Sequence, residues 1–199
     1  MPTQSALSAA TPRAAGFRQP AEWERHGAVW LAWPSHADLW EDALPAVRAA
    51  FAQFAAAIAD RDVAGNPRGE RLHVLVPDDE NGRLAATALA GLGARFFVIP
   101  FGDIWLRDTA PVFLAGPGHE RAAACFAFNG WGGKYVLPHD ADVSEKVAEA
   151  SGLTAYRFPW VLEGGSVVLL GLELEPAPGR FAVRRDWPEI ADTIDPRTL

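Results

Sequence analysis

The sequence predicts an α/β fold assembled from repeated strand–helix–strand units, and three observations carry that prediction. Short runs rich in Val, Ile, Phe and Leu alternate with longer helical stretches. Extra short strands stand between these units. There is also an internal echo: Phe96-Phe97-Val98-Ile99-Pro100 leads into a loop with Trp105 and Asp108, and Tyr156-Arg157-Phe158-Pro159 leads into a loop with Trp160 and Glu163. Each follows a helix that ends in glycine. Two related units that each deliver a carboxylate past a strand end point to a propeller-like or toroidal α/β arrangement.

In chain order, Ala28 to Trp33 reads as a buried strand stopped by Pro34. Val47, Ala50, Phe51, Phe54, Ala55 and Ile58 then follow helical spacing, with Pro45 suited to the first turn. Arg71 to Val76 is a second strand, and Pro77 to Gly82 is turn chemistry. Arg83 to Leu92 reads as a helix closed by Gly93, and Arg95 to Pro100 as a third strand. A loop covers Phe101 to Asp108. Pro111 to Ala115 and Ala123 to Phe128 read as strands joined by Gly116-Pro117-Gly118. Asp142 is placed to cap a helix from Val143 to Ser151. Strands at Ala155 to Pro159 and Ser166 to Leu170 follow, with Glu163 in the loop between them.

Composition sets bounds on function. The 199 residues suffice for one domain with a sizeable core, and the net charge of −7 argues against a nucleic-acid partner. That charge is compatible with a cationic small substrate. Cys125 is the single cysteine, so neither an intrachain disulfide nor a cysteine-based metal cage can form. The five histidines are scattered without metal-ligand spacing. No apolar run reaches membrane-spanning length. The start, through Arg18, reads as a disordered leader without a secretory signal. The eight tryptophans are unusual at this length and are expected to line a core or a pocket.

Three clusters could carry chemistry. In Asp103-Ile104-Trp105-Leu106-Arg107-Asp108, an aromatic face and a carboxylate three residues apart can point into one pocket from a bent loop. A guanidinium group, a planar cation with a fork of N–H donors, wants such a face and such a carboxylate. The same residues also fit an Arg107–Asp108 surface pair beside a core Trp. In Phe128-Asn129-Gly130-Trp131-Gly132-Gly133-Lys134-Tyr135 the glycines allow a sharp turn or close approach to a ligand, but the spacing is not that of a phosphate-binding loop. Leu162-Glu163-Gly164-Gly165-Ser166 either presents a carboxylate to a pocket or makes a tight turn into a strand. Cys125 lies inside an apolar strand pattern and reads as an inert small hydrophobe rather than a nucleophile.

Pro20-Ala21-Glu22-Trp23-Glu24, Trp30-Leu31-Ala32-Trp33-Pro34, Trp105-Leu106-Arg107-Asp108-Thr109-Ala110-Pro111, the Phe128 to Tyr135 segment and Leu162-Glu163-Gly164-Gly165-Ser166 occur in this order. From about Phe17 to Gly171 the chain resembles the agmatine deiminase and bacterial-type peptidylarginine deiminase family, and its Pro-Ala-Glu-Trp-Glu start resembles the agmatine branch. The resemblance implies a pentein-type β/α propeller, in which five ββαβ units surround a central site. It implies hydrolysis of agmatine to N-carbamoylputrescine and ammonia, a putrescine-forming step, without metal or organic cofactor. A Cys thiolate attacks the guanidinium carbon, a His shuttles protons, and carboxylates hold the cation.

Asp108 matches the family's guanidinium carboxylate, Trp105 its stacking aromatic and Glu163 its Leu-Glu-Gly-Gly glutamate. Asn129 and Trp131 fall on its glycine-rich substrate segment. The family's Gly-His-x-Asp segment and nucleophilic Cys have no counterpart here. The expectation is therefore an incomplete propeller of about three of five units: a leader at 1–18, a partial deiminase domain at 19–171 and a divergent tail at 172–199. Such a chain would be inactive alone, cytoplasmic, without nucleic-acid or membrane partners, with a homo-oligomer left open. A peptidylarginine deiminase or a non-catalytic binding remnant are the alternatives.

Overall fold

The computed structural model describes residues 11–164, together with the backbone of a hairpin formed by β7 (Leu174–Ala177) and β8 (Arg180–Val183). The strand expected at Ser166 to Leu170 lies outside the described residues.

A parallel sheet forms first. β1 (Val29–Ala32), β2 (Leu72–Val76) and β3 (Arg95–Val98) pair side by side in the order β1-β2-β3. Parallel neighbours need crossovers, and helices supply them. The connection from β1 to β2 carries α1 (Ala37–Trp40) and α2 (Leu44–Ala59), and that from β2 to β3 carries α3 (Asp79–Ala88). The central strand β2 reads Leu-His-Val-Leu-Val and is covered on both faces, as a parallel strand between layers must be. On one face Leu72, Val74 and Val76 meet Trp33, Ala55, Ala59, Ala85 and Leu89. Alanines on α2 and α3 let the helices lie close to the sheet. On the other face Leu75 and Ala32 meet Ile99, Phe101, Leu106, Val143 and Val147.

The second sheet is mixed. β4 (Val112–Ala115) and β5 (Arg121–Ala127) pair antiparallel, and β6 (Thr154–Val161) lies parallel to β5. The crossover from β5 to β6 carries α5 (Gly130–Gly133) and α6 (Val143–Ala150), whereas α4 (Leu106–Thr109) precedes β4. Helix α6 is the keystone. Its Val143 and Val147 pack with Leu75 of the first sheet, and its Ala148 packs with Ala123 and Cys125 of the second.

Several boundaries differ from the sequence reading. α3 begins at Asp79, inside the expected turn, because the Asp78 side chain accepts from Asn81 N at 2.7 Å and caps the helix there. Asp142, expected to cap α6, makes no side-chain cap; it instead accepts from Lys146 Nζ at 3.5 Å. β6 continues through Trp160 and Val161, so Trp160 belongs to a strand rather than to the loop. Residues 11–18, read as part of a disordered leader, are ordered: Arg18 pairs with Ala115 at the edge of β4, and the Phe17 ring meets Tyr156 edge-on at 5.9 Å. Backbone bonds between Arg18 and Ala115, the Arg18–Glu24 ion pair and the packing of Phe17 together seat that segment. The tryptophans divide: Trp33 is fully buried, whereas Trp23, Trp105 and Trp160 are exposed.

Candidate functional site

The Trp105–Asp108 segment is set by backbone economy. Strand β3 ends, Ile99 N donates to Val76 O at 3.0 Å, and Phe101 plugs the core. The expected bent loop then closes into the single turn α4. The Trp105 carbonyl accepts from Asp108 N at 3.0 Å, Thr109 N at 3.1 Å and the Thr109 hydroxyl at 3.2 Å. Three donors on one acceptor fix the spacing, so the indole of Trp105 and the carboxylate of Asp108 stand one turn apart on neighbouring positions. Leu106, between them, is buried and anchors the turn. Asp108 is half-buried.

Arg107 reaches back to the start of the described chain. Its Nη1 donates to Glu22 Oε1 at 2.6 Å, joining the Pro20 to Glu24 motif to α4. Both side chains are largely exposed, so this bridge contributes little to stability and acts mainly as a guide for the chain.

Glu163 approaches the same turn from the end of β6. A Cβ on Gly164 would collide with the Arg107 carbonyl, so the glycine permits direct backbone contact between the Glu163 segment and α4. The two motifs that the internal echo linked are thereby brought side by side. Glu163 is half-buried.

Asn129 and Trp131 part company. The Asn129 side chain accepts from Gly132 N at 2.8 Å and caps the tight turn α5. This bond is internal to the turn. Trp131 adopts φ 54°, a left-handed conformation flanked by Gly130 and Gly132, and its ring meets Phe128 at 5.0 Å. This turn aims Trp131 toward Trp105. The two indoles, with Trp40, Tyr135, Asp103 and Lys134, line a groove of about 580 Å³. Trp105 is 51% exposed there, with its indole nitrogen donating to Asp103 Oδ2 at 2.8 Å.

A larger hollow of about 930 Å³ lies between α6 and β6, away from these loops. It contains Cys125, but not as a reactive thiol. Cys125 is 3% exposed, its Sγ–H points at the Ser144 carbonyl at 3.7 Å, and burial pushes its pKa up. A raised thiol pKa leaves little thiolate at neutral pH. Among the described residues, no group of three or more His, Cys, Asp or Glu side chains could hold a metal ion, and no helix is long and apolar enough to cross a membrane.

Sequence reasoning missed two carboxylates at this site. Asp103 was visible in its cluster but had no role. Asp140 was invisible, one polar residue in a polar stretch; in the fold it is 2% exposed and accepts from the backbone of Gly102.

The α/β arrangement is that of a deiminase: the chain superposes on the solved agmatine deiminase of Enterococcus faecalis with a TM-score of 0.68 and 30% identity, covering 78% of this chain and 42% of that one. Residues 18–172 match the sequence pattern of the Porphyromonas-type peptidyl-arginine deiminases, and the chain belongs to that family. It is 35% identical over 163 residues to the agmatine deiminase of Pseudomonas aeruginosa (strain LESB58) and 34% identical over 163 residues to that of Ectopseudomonas mendocina (strain ymp). In both cases the match covers 79% of this chain and spans 42% of the relative's length.

Proposed function

We propose that this chain supplies the guanidinium-holding part of an agmatine deiminase site, and that these 199 residues by themselves bind the cation without turning it over. The observation that carries the reading is the meeting of two motifs. Trp105 and Asp108 share one turn, and Glu163 enters beside that turn through the contact of Gly164 with Arg107. An indole face stabilises a planar cation, and carboxylates accept its N–H fork. The agmatine deiminases among the relatives support agmatine as the ligand.

The reaction itself needs more. A thiolate forms a C–S bond at the guanidinium carbon, ammonia leaves, and water then cleaves that bond to release N-carbamoylputrescine. Cys125 is buried in β5 with a raised pKa, and cannot reach a ligand at Trp105 without unpicking its strand. Trp105, Asp108, Glu163 and Trp131 therefore act here in binding, within a pentein arrangement of about three of five ββαβ units. Asn129 acts one step back, by shaping the turn that carries Trp131.

Calorimetric titration with agmatine tests this. Wild type should bind weakly and Asp108→Asn should bind about tenfold more weakly, the effect of losing one charge-assisted contact. Equal affinities would remove Asp108 from the site. Membership of the Porphyromonas-type peptidyl-arginine deiminases supports a peptide arginine as the competing ligand; tighter binding of a blocked arginyl peptide than of agmatine would favour it. Ammonia release from agmatine that disappears in Cys125→Ser would overturn the non-turnover reading.

A further inference from the structure

An exposed indole has no intrinsic reason to hold one orientation. Trp105 is 51% exposed, so its ring is free on one side, yet a stacking face is useful only if it is fixed in advance. The structure contains a chain of contacts that fixes it. The Trp105 indole nitrogen donates to Asp103 Oδ2 at 2.8 Å, while Asp103 Oδ1 accepts from Ile104 N at 2.7 Å. Both carboxylate oxygens of Asp103 are thus committed to holding the segment that carries the ring. Asp103 is fixed in turn: its backbone N–H donates to Asp140 Oδ1 at 3.2 Å, and Gly102 N donates to the same oxygen at 2.7 Å.

Asp140 is a strong anchor because it cannot move away. It is 2% exposed and stands three residues before Val143, at the start of the keystone helix α6. The approach is close enough that a Cβ on Gly102 would come within 2.9 Å of Asp140 Oδ2 and would crowd Leu137 harder still. The backbone of the loop is therefore seated directly on the carboxylate. Val143 and Val147 of α6 pack in the same cluster as Phe101 and Leu106, which flank Trp105 in sequence. The loop is clamped at its base by apolar contact and at its middle by two N–H···O bonds.

We propose that Asp103 is a positioning residue for the Trp105 indole and that Asp140 holds Asp103 in place, so that a core helix sets the orientation of an exposed stacking face. This rests on the reading of Trp105 as a cation-stacking residue. The brace has an electrostatic consequence as well. A carboxylate accepting the indole N–H polarises the ring toward a more negative face, and its charge offsets that of Lys134 on the same groove. Asparagine at 103 would keep an acceptor and lose the charge; alanine would lose both.

Indole N–H resonances of the full 199-residue chain provide the test, with the Trp105 signal assigned by its loss in Trp105→Phe. In wild type, the Trp105 indole N–H should exchange with water about tenfold more slowly than that of the comparably exposed Trp23, the protection expected of a charge-assisted hydrogen bond. Equal exchange would overturn the proposal without any substitution being made. Asp103→Ala should move the Trp105 signal and remove its protection, Asp103→Asn should largely restore both, and Asp140→Asn should leave them near wild type while Asp140→Ala disturbs them. An unmoved Trp105 signal in a folded Asp103→Ala chain would also overturn it.

Agmatine titration then separates the brace from the binding site. Asp103→Ala should weaken agmatine several-fold, with Asp103→Asn between it and wild type. Absence of agmatine binding by wild type would sink the binding reading alone, since the exchange measurements need no ligand.

Discussion

At the scale of single residues, burial and polarity conflict most openly at His73. It sits mid-strand in β2, with Trp30 at 4.7 Å and Phe97 at 5.1 Å around its ring, and its Nδ1 is buried without a hydrogen-bond partner among the described residues. Burial depresses its pKa below the usual 6.5, and the cations of Arg95 and Arg71 push in the same direction. The folded state thus holds a neutral imidazole that the unfolded chain would protonate more readily. Stability from this site is fully present above about pH 6.5 and is lost as pH falls through the lower folded value. Thermal melts across pH 5 to 8 should show wild type losing Tm toward acid more steeply than His73→Phe. Parallel curves for the two would show that His73 is not the group responsible. The same scale governs Asp108 and Trp105, whose identities the sequence displayed openly, and Asp140, whose importance it hid. A carboxylate that caps another segment's backbone leaves no local pattern, because its partners, Gly102 and Asp103, lie almost forty positions away.

At the scale of elements, the parallel sheet bears the load. β2 contacts both other strands of its sheet and carries Leu72, Val74, Leu75 and Val76, all buried. Leu72 meets the α2–α3 layer, where Trp33 and the helix alanines leave little room to collapse into a void. Leu72→Ala should cost about 2–5 kcal/mol, the range for removing a buried leucine side chain. Urea unfolding should report it as a lower midpoint at unchanged slope. A loss below about 1 kcal/mol would mean that the layer relaxes around the gap. The helices show where sequence periodicity suffices and where it does not. α2 covers the expected helix, and Phe51, Ala55 and Ile58 of its apolar stripe pack on the sheet, but Ala50 and Phe54 of the same stripe are exposed. α3 starts earlier than its apolar pattern suggests, because the Asp78 cap, and not hydrophobicity, sets the first turn.

For the whole molecule, the arrangement of edges matters most. Among the described residues, β1 and β3 flank the first sheet, and β6 and β4, the latter bridged at its end by Arg18, flank the second. Val98 on β3 and Trp160 and Val161 on β6 are exposed. Unpaired strand edges bearing apolar side chains favour association with another chain. The isolated 199-residue polypeptide should therefore elute above its monomer size and show a rise in light scattering on warming. A clean monomer with a sharp, reversible melt would show that these edges are protected well enough by their own geometry. Helix α6 works against such opening within the chain, since it ties the two sheets together through Val143, Val147 and Ala148.

The sequence by itself determined the α/β class, the order of most strands and helices, and the residue types that a guanidinium group requires, because periodicity, turn residues and ordered motifs are local properties of a chain. It also marked Cys125 as a buried strand residue, from its apolar surroundings alone. Only the tertiary structure decided that α6 joins two sheets, that Phe17 packs against Tyr156 of β6, and that Asn129 shapes a turn through its side chain. It alone set Glu163's segment against α4 and linked Asp140 through Asp103 to Trp105. Apart from the local Asn129–Gly132 and Asp103–Trp105 bonds, these are contacts between residues far apart in sequence, where the energy of a hydrogen bond or a packed ring depends on distances that no local pattern records.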